Sequence, residues 1–189
     1  MSARFDRIGS EIVYEGKIAT VRRDRFRYDD GEEAEREIVS HPGAVAVVAH
    51  DDESIYLVRQ PREAIGVPDL LEIPAGKLDV EDEQPEDNGR RELAEEIGKA
   101  ADHWELLKTY WSSAGFTDEQ VHVYLATGLH DVEQPDSGED ERIEIVAWPL
   151  SDLDGLIDAC ADAKSLIGLL ELRRHREKGD RHRFPAQRR

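Results

Sequence analysis

Apolar and polar positions change rhythm along this chain, and the changes mark its elements. Up to residue 40, short β-prone runs alternate with turn signals: Ile12-Val13-Tyr14, Ala19-Thr20-Val21, Arg25-Phe26-Arg27-Tyr28 and Glu35-Arg36-Glu37-Ile38-Val39, with Asp29-Asp30-Gly31 read as a hairpin turn. His41-Pro42-Gly43 breaks the last run. Ala44-Val45-Ala46-Val47-Val48-Ala49 is then continuously apolar, which predicts a strand covered on both faces. The chain turns into residues 54–60, residues 70–74 lead into the loop before the central helix, and further strands are expected at 104–111, 121–127 and 143–148. Helical spacing appears from Pro85 to Gly98 and again over 152–161 and 165–178. In the last of these, Leu166, Leu169 and Leu170 are expected to form the apolar face, and Gly179 to end the helix. Mixed strands with one central helix and more at the end predict a layered α/β sandwich.

The central helix carries the candidate chemistry. Pro85 suits its first turn, Glu86 and Asp87 suit the positive end of its dipole, and Gly98 suits its C-terminal stop. Glu92 and Glu96 are four residues apart and Glu92 and Glu95 three apart, so three carboxylates share one helical edge. Leu93 and Ile97 turn toward a core. Like charges crowded together cost stability unless a cation sits among them. A hard divalent ion, held by carboxylate oxygens together with substrate phosphates, meets that need. An acidic helix face turned to water is the plainer alternative, and for an isolated cluster the better one.

Composition narrows the classes. Asp and Glu total 43 against 25 Lys and Arg, of which six are Lys, for a net charge of −18. Such a chain repels itself at low salt, as proteins of halophilic organisms do, and an acidic surface disfavours nucleic acid as a partner. The basic stretch from Arg173 to Arg189 is an exception, read as a helix end and a solvated extension. No apolar run approaches the ~18 residues of a membrane span. The N-terminus has no apolar signal core, and Cys160 is alone, so neither a disulfide nor a cysteine zinc module is available. Cys160 is read as a small core residue. A cytoplasmic enzyme without a membrane partner is expected.

A solvated acidic face does not account for Gly76, for the spacing of Glu83 from Arg91, or for the run Arg91-Glu92-Leu93-Ala94-Glu95-Glu96-Ile97-Gly98. Together these resemble the signature of the Nudix hydrolases, G-x5-E-x7-R-E-U-x-E-E-x-G-U, where U is bulky and apolar. The chain departs from it twice: six residues separate Gly76 from Glu83, and the last U is Lys99. The resemblance implies a Nudix-type α/β/α sandwich with a mixed sheet, plus a small N-terminal antiparallel sheet. It divides the chain into N-terminal strands at 1–40, a Nudix domain at 41–179 and a basic tail at 180–189. It also implies metal-dependent hydrolysis of a nucleoside diphosphate linked to a further group, using Mg²⁺ or Mn²⁺. Glu92, Glu95 and Glu96 would hold the ion, with the Ala75 carbonyl completing its shell, while Arg91 would pair with Glu83 and brace the carboxylates. Glu83 is a less favoured ligand.

Further matches resemble the branch of the family that acts on ADP-ribose. Val58-Arg59-Gln60-Pro61-Arg62 resembles its V-R-Q-x-R segment, which implies that Arg62 meets a phosphate. Leu71-Glu72-Ile73-Pro74-Ala75-Gly76 resembles its approach to the signature, where Glu72 either binds the substrate or is structural. Ser113-Ala114-Gly115-Phe116-Thr117-Asp118-Glu119 resembles an S-P-G-F-x-D-E loop, with Ala114 in place of proline, and Ala163-Lys164-Ser165 resembles the opening of the branch's last helix. A general base is implied on the acidic loop 135–142, Glu139 being favoured over Glu141, although an ordinary charged surface loop reads the same way. Phe26 and Tyr28 are candidates for an adenine platform, with alternating core residues as the other reading. The branch commonly exchanges its N-terminal sheet between subunits, which implies a homodimer. Other nucleotides, whether sugar-linked or oxidised triphosphates, and a non-catalytic nucleotide sensor are the competing functions.

Overall fold

A computed structural model of the chain describes residues 4–16, 19–134 and 142–183, with side chains described as far as 178. Two compact units emerge, Met1–Gly43 with Trp111–Gln120, and Ala44–Tyr110 with Val121–Arg189. The segment Trp111–Gln120 therefore groups with the N-terminal strands, not with the residues that flank it in sequence.

In the first unit β1 (Phe5–Glu15), β2 (Thr20–Tyr28) and β3 (Glu33–Ser40) form an antiparallel sheet in that order. The turn expected at Asp29-Asp30-Gly31 joins β2 to β3, with Gly31 at φ 87°. The segment after Trp111 is pinned to β3 through Val39. The Val39 N–H donates to the Phe116 carbonyl at 2.8 Å, and its carbonyl accepts from the Thr117 hydroxyl at 2.9 Å.

The second unit is built on β4 (Ala44–His50), β5 (Ser54–Arg62), β6 (Val67–Glu72), β7 (Ala75–Lys77), β8 (Lys99–Trp111), β9 (Gln120–Asp131) and β10 (Glu144–Pro149). Their order is β10-β5-β4-β9-β8, with β6 also paired to β5 and β7 to β4. The sheet is mixed because β4 runs parallel to β9, whereas β5 is antiparallel to β4, β6 and β10. Alternation along β4 gives the layers. Ala46 and Val48 join one apolar cluster with Leu153 and Leu156 of α2 (Leu153–Ala159) and Leu169 and Leu172 of α3 (Ala163–Arg183). Val47 and Ala49 join the other, with Leu93 and Ile97 of α1 (Pro85–Ile97). Both faces of β4 are thus buried, which explains its unbroken apolar run. No helix among the described residues is long and apolar enough to cross a membrane.

Three expectations need correction. β8 starts at Lys99, five residues before 104, because Gly98 takes the left-handed conformation (φ 64°) and turns the chain from α1 directly into the strand. Gly179 does not end α3, which continues to Arg183. One glycine costs a helix only about 1 kcal/mol, while the next true breaker in sequence is Pro185. The buried stripe of α3 is Ser165, Leu169 and Leu172, spaced i, i+4, i+7, which rotates Leu170 to 37% exposure. Cys160 is half-buried against the core and its thiol faces the Asp162 carbonyl.

Leu169→Ala should therefore lower stability by about 2–5 kcal/mol, and Leu170→Ala by less than about 1 kcal/mol, in urea titrations of each variant. Equal losses would put the stripe where the leucine spacing alone suggested.

Candidate active site

The α1 edge and the β7 strand build the carboxylate cluster. Gly76 lies against Glu92 so closely that a Cβ there would fall 2.0 Å from the Glu92 Cδ. Only a bare backbone lets that carboxylate lie where it does. Glu96, 6% exposed, accepts the Ala75 N–H at 3.0 Å, which sets its carboxylate beside the backbone at residue 75. Arg91 spans the rest: its Nη1 is 2.7 Å from a Glu95 oxygen and 2.9 Å from a Glu92 oxygen, and its Nε and Nη2 reach the Glu83 oxygens at 3.3 and 3.4 Å. Hydrogen bonding to Glu83, with the charges of Glu92 and Glu95, raises the Arg91 pKa further above its ordinary value against the opposing effect of burial. Arg91 and Asn88 hold Glu83 below the usual carboxylate range.

Among the described residues no three His, Cys, Asp or Glu side chains converge as they stand to hold a metal ion. The guanidinium supplies the counter-charge there. The donor set nevertheless suits a hard divalent cation. Glu92, Glu95 and Glu96 offer only oxygen, the Ala75 backbone adjoins Glu96, and Gly76 keeps room for Glu92.

Arg62 and Glu72 form a second cluster in the same unit. The Arg62 fork donates to both Glu72 oxygens, at 2.6 and 2.8 Å, and Lys164 from the start of α3 donates to the same carboxylate. Glu72 is 1% exposed and braces Arg62 from within. Burial pushes the Glu72 pKa up, but the hydrogen bonds of Arg62 and the charge of Lys164 outweigh it, and the net shift is downward. Lys164 also pairs with Asp162 at 3.0 Å. Asp162 caps α3 by accepting the Ser165 N–H at 2.9 Å, and the Ser165 hydroxyl accepts the Ile73 N–H at 2.9 Å. α3 is thus fastened to the backbone just before Pro74, Ala75 and Gly76. Glu96 adds to the field on Arg62, so the two clusters sense one another.

Within the first unit, Phe26 and Tyr28 line a cavity of about 270 Å³ together with Phe5, Arg22, Arg36 and Phe116. The Phe5 ring meets Phe26 edge-on at 5.4 Å and Tyr28 at 6.0 Å. Arg22 ties the wall together, donating to Asp24 at 3.0 Å, to Asp118 at 2.8 Å and to Ser40. Asp118 in turn accepts the His41 N–H at 2.8 Å. The Ala114 loop is closed without its proline, because the Phe116 and Thr117 N–H groups both donate to the Ser113 carbonyl at 3.1 Å.

The structure thus gathers Glu83, Arg91, Glu92, Glu95, Glu96 and Ala75, pairs Arg62 with Glu72, and sets Phe26 with Tyr28 in the first unit. Glu139 and Glu141 lie outside the described residues. Sequence reading assigned no role to Asn88, Asp162, Lys164, Arg22 or Asp118. For Lys164 the match at the start of the last helix was a signal without a partner; for Asn88 there was none.

The chain is similar to known proteins over most of its length. A NUDIX domain model matches residues 39–167, and a nucleoside diphosphate sugar hydrolase N-terminal domain model matches residues 5–39. An ADP-ribose pyrophosphatase of Mycobacterium tuberculosis is 43% identical over 145 residues, covering 76% of this chain and 70% of that protein. An ADP-ribose pyrophosphatase of Bacillus subtilis is 37% identical over 166 residues, covering 86% and 89%. A solved structure described as an ADP compounds hydrolase superposes with a TM-score of 0.82 at 21% identity, covering 94% of this chain and 97% of that one, a likeness of fold.

Glu72 supplies a signed test. Its folded pKa is depressed, so its contribution is full above the ordinary carboxylate value near about 4.3 and is lost as pH falls through the folded value. Glu72→Gln should be less stable than the parent by about 1–3 kcal/mol at pH 7, with the gap closing below about pH 4 in denaturation curves. A gap independent of pH would mean that the charge of Glu72 does not hold this cluster.

Proposed function

Because this chain belongs to the Nudix hydrolase family, whose members hydrolyse pyrophosphate bonds in nucleotides, we propose that its substrate is ADP-ribose, split with a divalent ion, Mg²⁺ or Mn²⁺, to AMP and ribose 5-phosphate. The observation that carries the chemistry is the carboxylate set of Glu92, Glu95 and Glu96, bridged by Arg91 and anchored at Ala75. Those three side chains and the Ala75 carbonyl would hold the ion. When bound, a divalent ion neutralises the diphosphate and acidifies water.

The remaining work falls to the chain itself. Arg91 holds neighbouring carboxylates in place, and Glu83 steadies Arg91. Arg62, aimed by Glu72, meets a phosphate with its planar guanidinium. Glu139 takes the proton of the attacking water, with Glu141 as its alternative. Phe26 and Tyr28 offer ring faces to the adenine. The V-R-Q-P-R segment and the relatives named for ADP-ribose support the substrate; the N-terminal domain match to nucleoside diphosphate sugar hydrolases favours a sugar-linked nucleotide as the second reading. A homodimer is also part of this reading, since Phe5, Ile12 and Tyr14 on β1 are 59–60% exposed.

Release of AMP should be fastest from ADP-ribose in a panel with a nucleotide sugar and a nucleoside triphosphate, and should vanish without a divalent ion. A nucleotide sugar preferred by more than about tenfold in kcat/KM would overturn the substrate, and no turnover of any member would favour a sensor. Glu96→Gln should cost at least about a hundredfold in kcat with little change in Tm. Gly76→Ala should cost roughly a hundredfold by displacing the Glu92 carboxylate; near-normal rates in either variant would reject its assigned role. If Glu141→Gln slows turnover more than Glu139→Gln, the base is Glu141. Light scattering should give a mass near twice 21.4 kDa.

A further inference from the structure

The loop between β7 and α1 is where this chain departs from its family's spacing, with six residues between Gly76 and Glu83 instead of five. It carries a matching irregularity. Asp82, directly before Glu83, has φ 64°, and no other non-glycine residue among those described has a positive φ. A non-glycine residue at positive φ is uncommon, and Asp is among the residues that tolerate it. The Glu83 N–H closes a turn to the Val80 carbonyl at 3.3 Å, which is a long bond.

Asn88, fully buried on α1, bridges the two ends of that loop. Its Nδ2 donates to the Lys77 carbonyl at 3.0 Å and to a Glu83 oxygen at 2.7 Å. The second bond is the shortest that Glu83 accepts, since Arg91 reaches it only at 3.3 and 3.4 Å. Glu83 is therefore held from two sides, by Asn88 and by Arg91. The Asn88 Oδ1 is buried and has no hydrogen-bond partner among the described residues. A buried amide left half-satisfied is a poor choice for stability alone, and alanine is the better helix former. Its two donor bonds are what the asparagine adds.

We propose that Asn88 is a positioning residue for pyrophosphate hydrolysis, stapling the lengthened loop to α1 and fixing Glu83 against Arg91, and through Arg91 the Glu92 and Glu95 carboxylates. The inference rests on the assigned reaction and on those carboxylates as the ion-holding set.

Asn88→Ala and Asn88→Asp test it, the second by replacing the donor with a carboxylate facing Glu83. In steady-state assays with ADP-ribose and Mg²⁺, Asn88→Ala should lower kcat by about ten- to a hundredfold while KM stays within about threefold. Asn88→Asp should be slower still. Hydrogen exchange of the metal-free protein should show the backbone amides of residues 78–83 exchanging about tenfold faster in Asn88→Ala, with Tm nearly unchanged. A kcat within twofold of the parent, or unaltered loop exchange, overturns the proposal. A fall in kcat that merely follows a large drop in Tm overturns it too. Parent protein that ignores ADP-ribose would instead sink the substrate reading, and the exchange comparison would still judge the staple.

Discussion

Holding several carboxylates side by side around one cation is the constraint on which this site depends. Glu83, Glu92 and Glu95 all lie within 3.4 Å of Arg91 nitrogens, so one guanidinium answers three anions. Without it, mutual repulsion would spread these side chains into solvent and undo the cluster. Arginine suits the task because its planar fork presents several donors at fixed angles, whereas a lysine would offer a single point charge. Glu96 accepts a backbone N–H, which fixes it relative to the strand that carries Ala75.

The same economy of cations recurs throughout a chain with 43 acidic and 25 basic residues. Lys164 serves both Glu72 and Asp162, and Arg22 serves both Asp24 and Asp118. Asp24 and Glu72 are each 1% exposed, and burying either ion without a partner would be very costly. Each shared cation also joins segments distant in sequence. Lys164 ties the start of α3 to the end of β6, and Arg22 ties β2 to the Trp111–Gln120 segment. Scarce positive charge thus sits at junctions, where it orients loops as well as compensating buried anions.

How legible this was depended on the range of each interaction. The α1 carboxylates, Pro85 and Gly98 could be read from sequence because helical periodicity and capping are local. The two-faced burial of β4 was legible for the same reason. Long-range partners were not: Glu72 with Lys164 are 92 residues apart and Arg22 with Asp118 are 96 apart. No spacing rule links such pairs. The misjudged stripe on α3 shows another limit. Leu166, Leu169 and Leu170 looked like a face by hydrophobicity, yet the residues buried with Leu169 are Ser165 and Leu172; Ser165 is buried because its hydroxyl accepts the Ile73 N–H and donates to Asp162. Composition alone undervalues a polar residue whose bonds are all made internally.

The departures from the family pattern follow a physical rule. Gly76, Arg91 and Gly98 are kept, and each has a role that no other side chain fills: room for Glu92, a forked cation, and a left-handed helix end. The apolar position after Gly98 is instead Lys99, and the structure shows why this is tolerable. Its stem starts β8, its ammonium lies 4.5 Å over the Tyr56 ring and it bonds Asp131 at 2.8 Å, so the site still packs an aromatic while the charge is answered. Ala114 loses the φ restraint of proline, but two N–H bonds to the Ser113 carbonyl hold that loop closed. Positions that only pack or restrain admit substitutes with a different chemistry and the same mechanical effect. Positions that hold a carboxylate against its counter-charge keep the pattern here: Gly76 leaves room for Glu92, and Arg91 answers Glu83, Glu92 and Glu95.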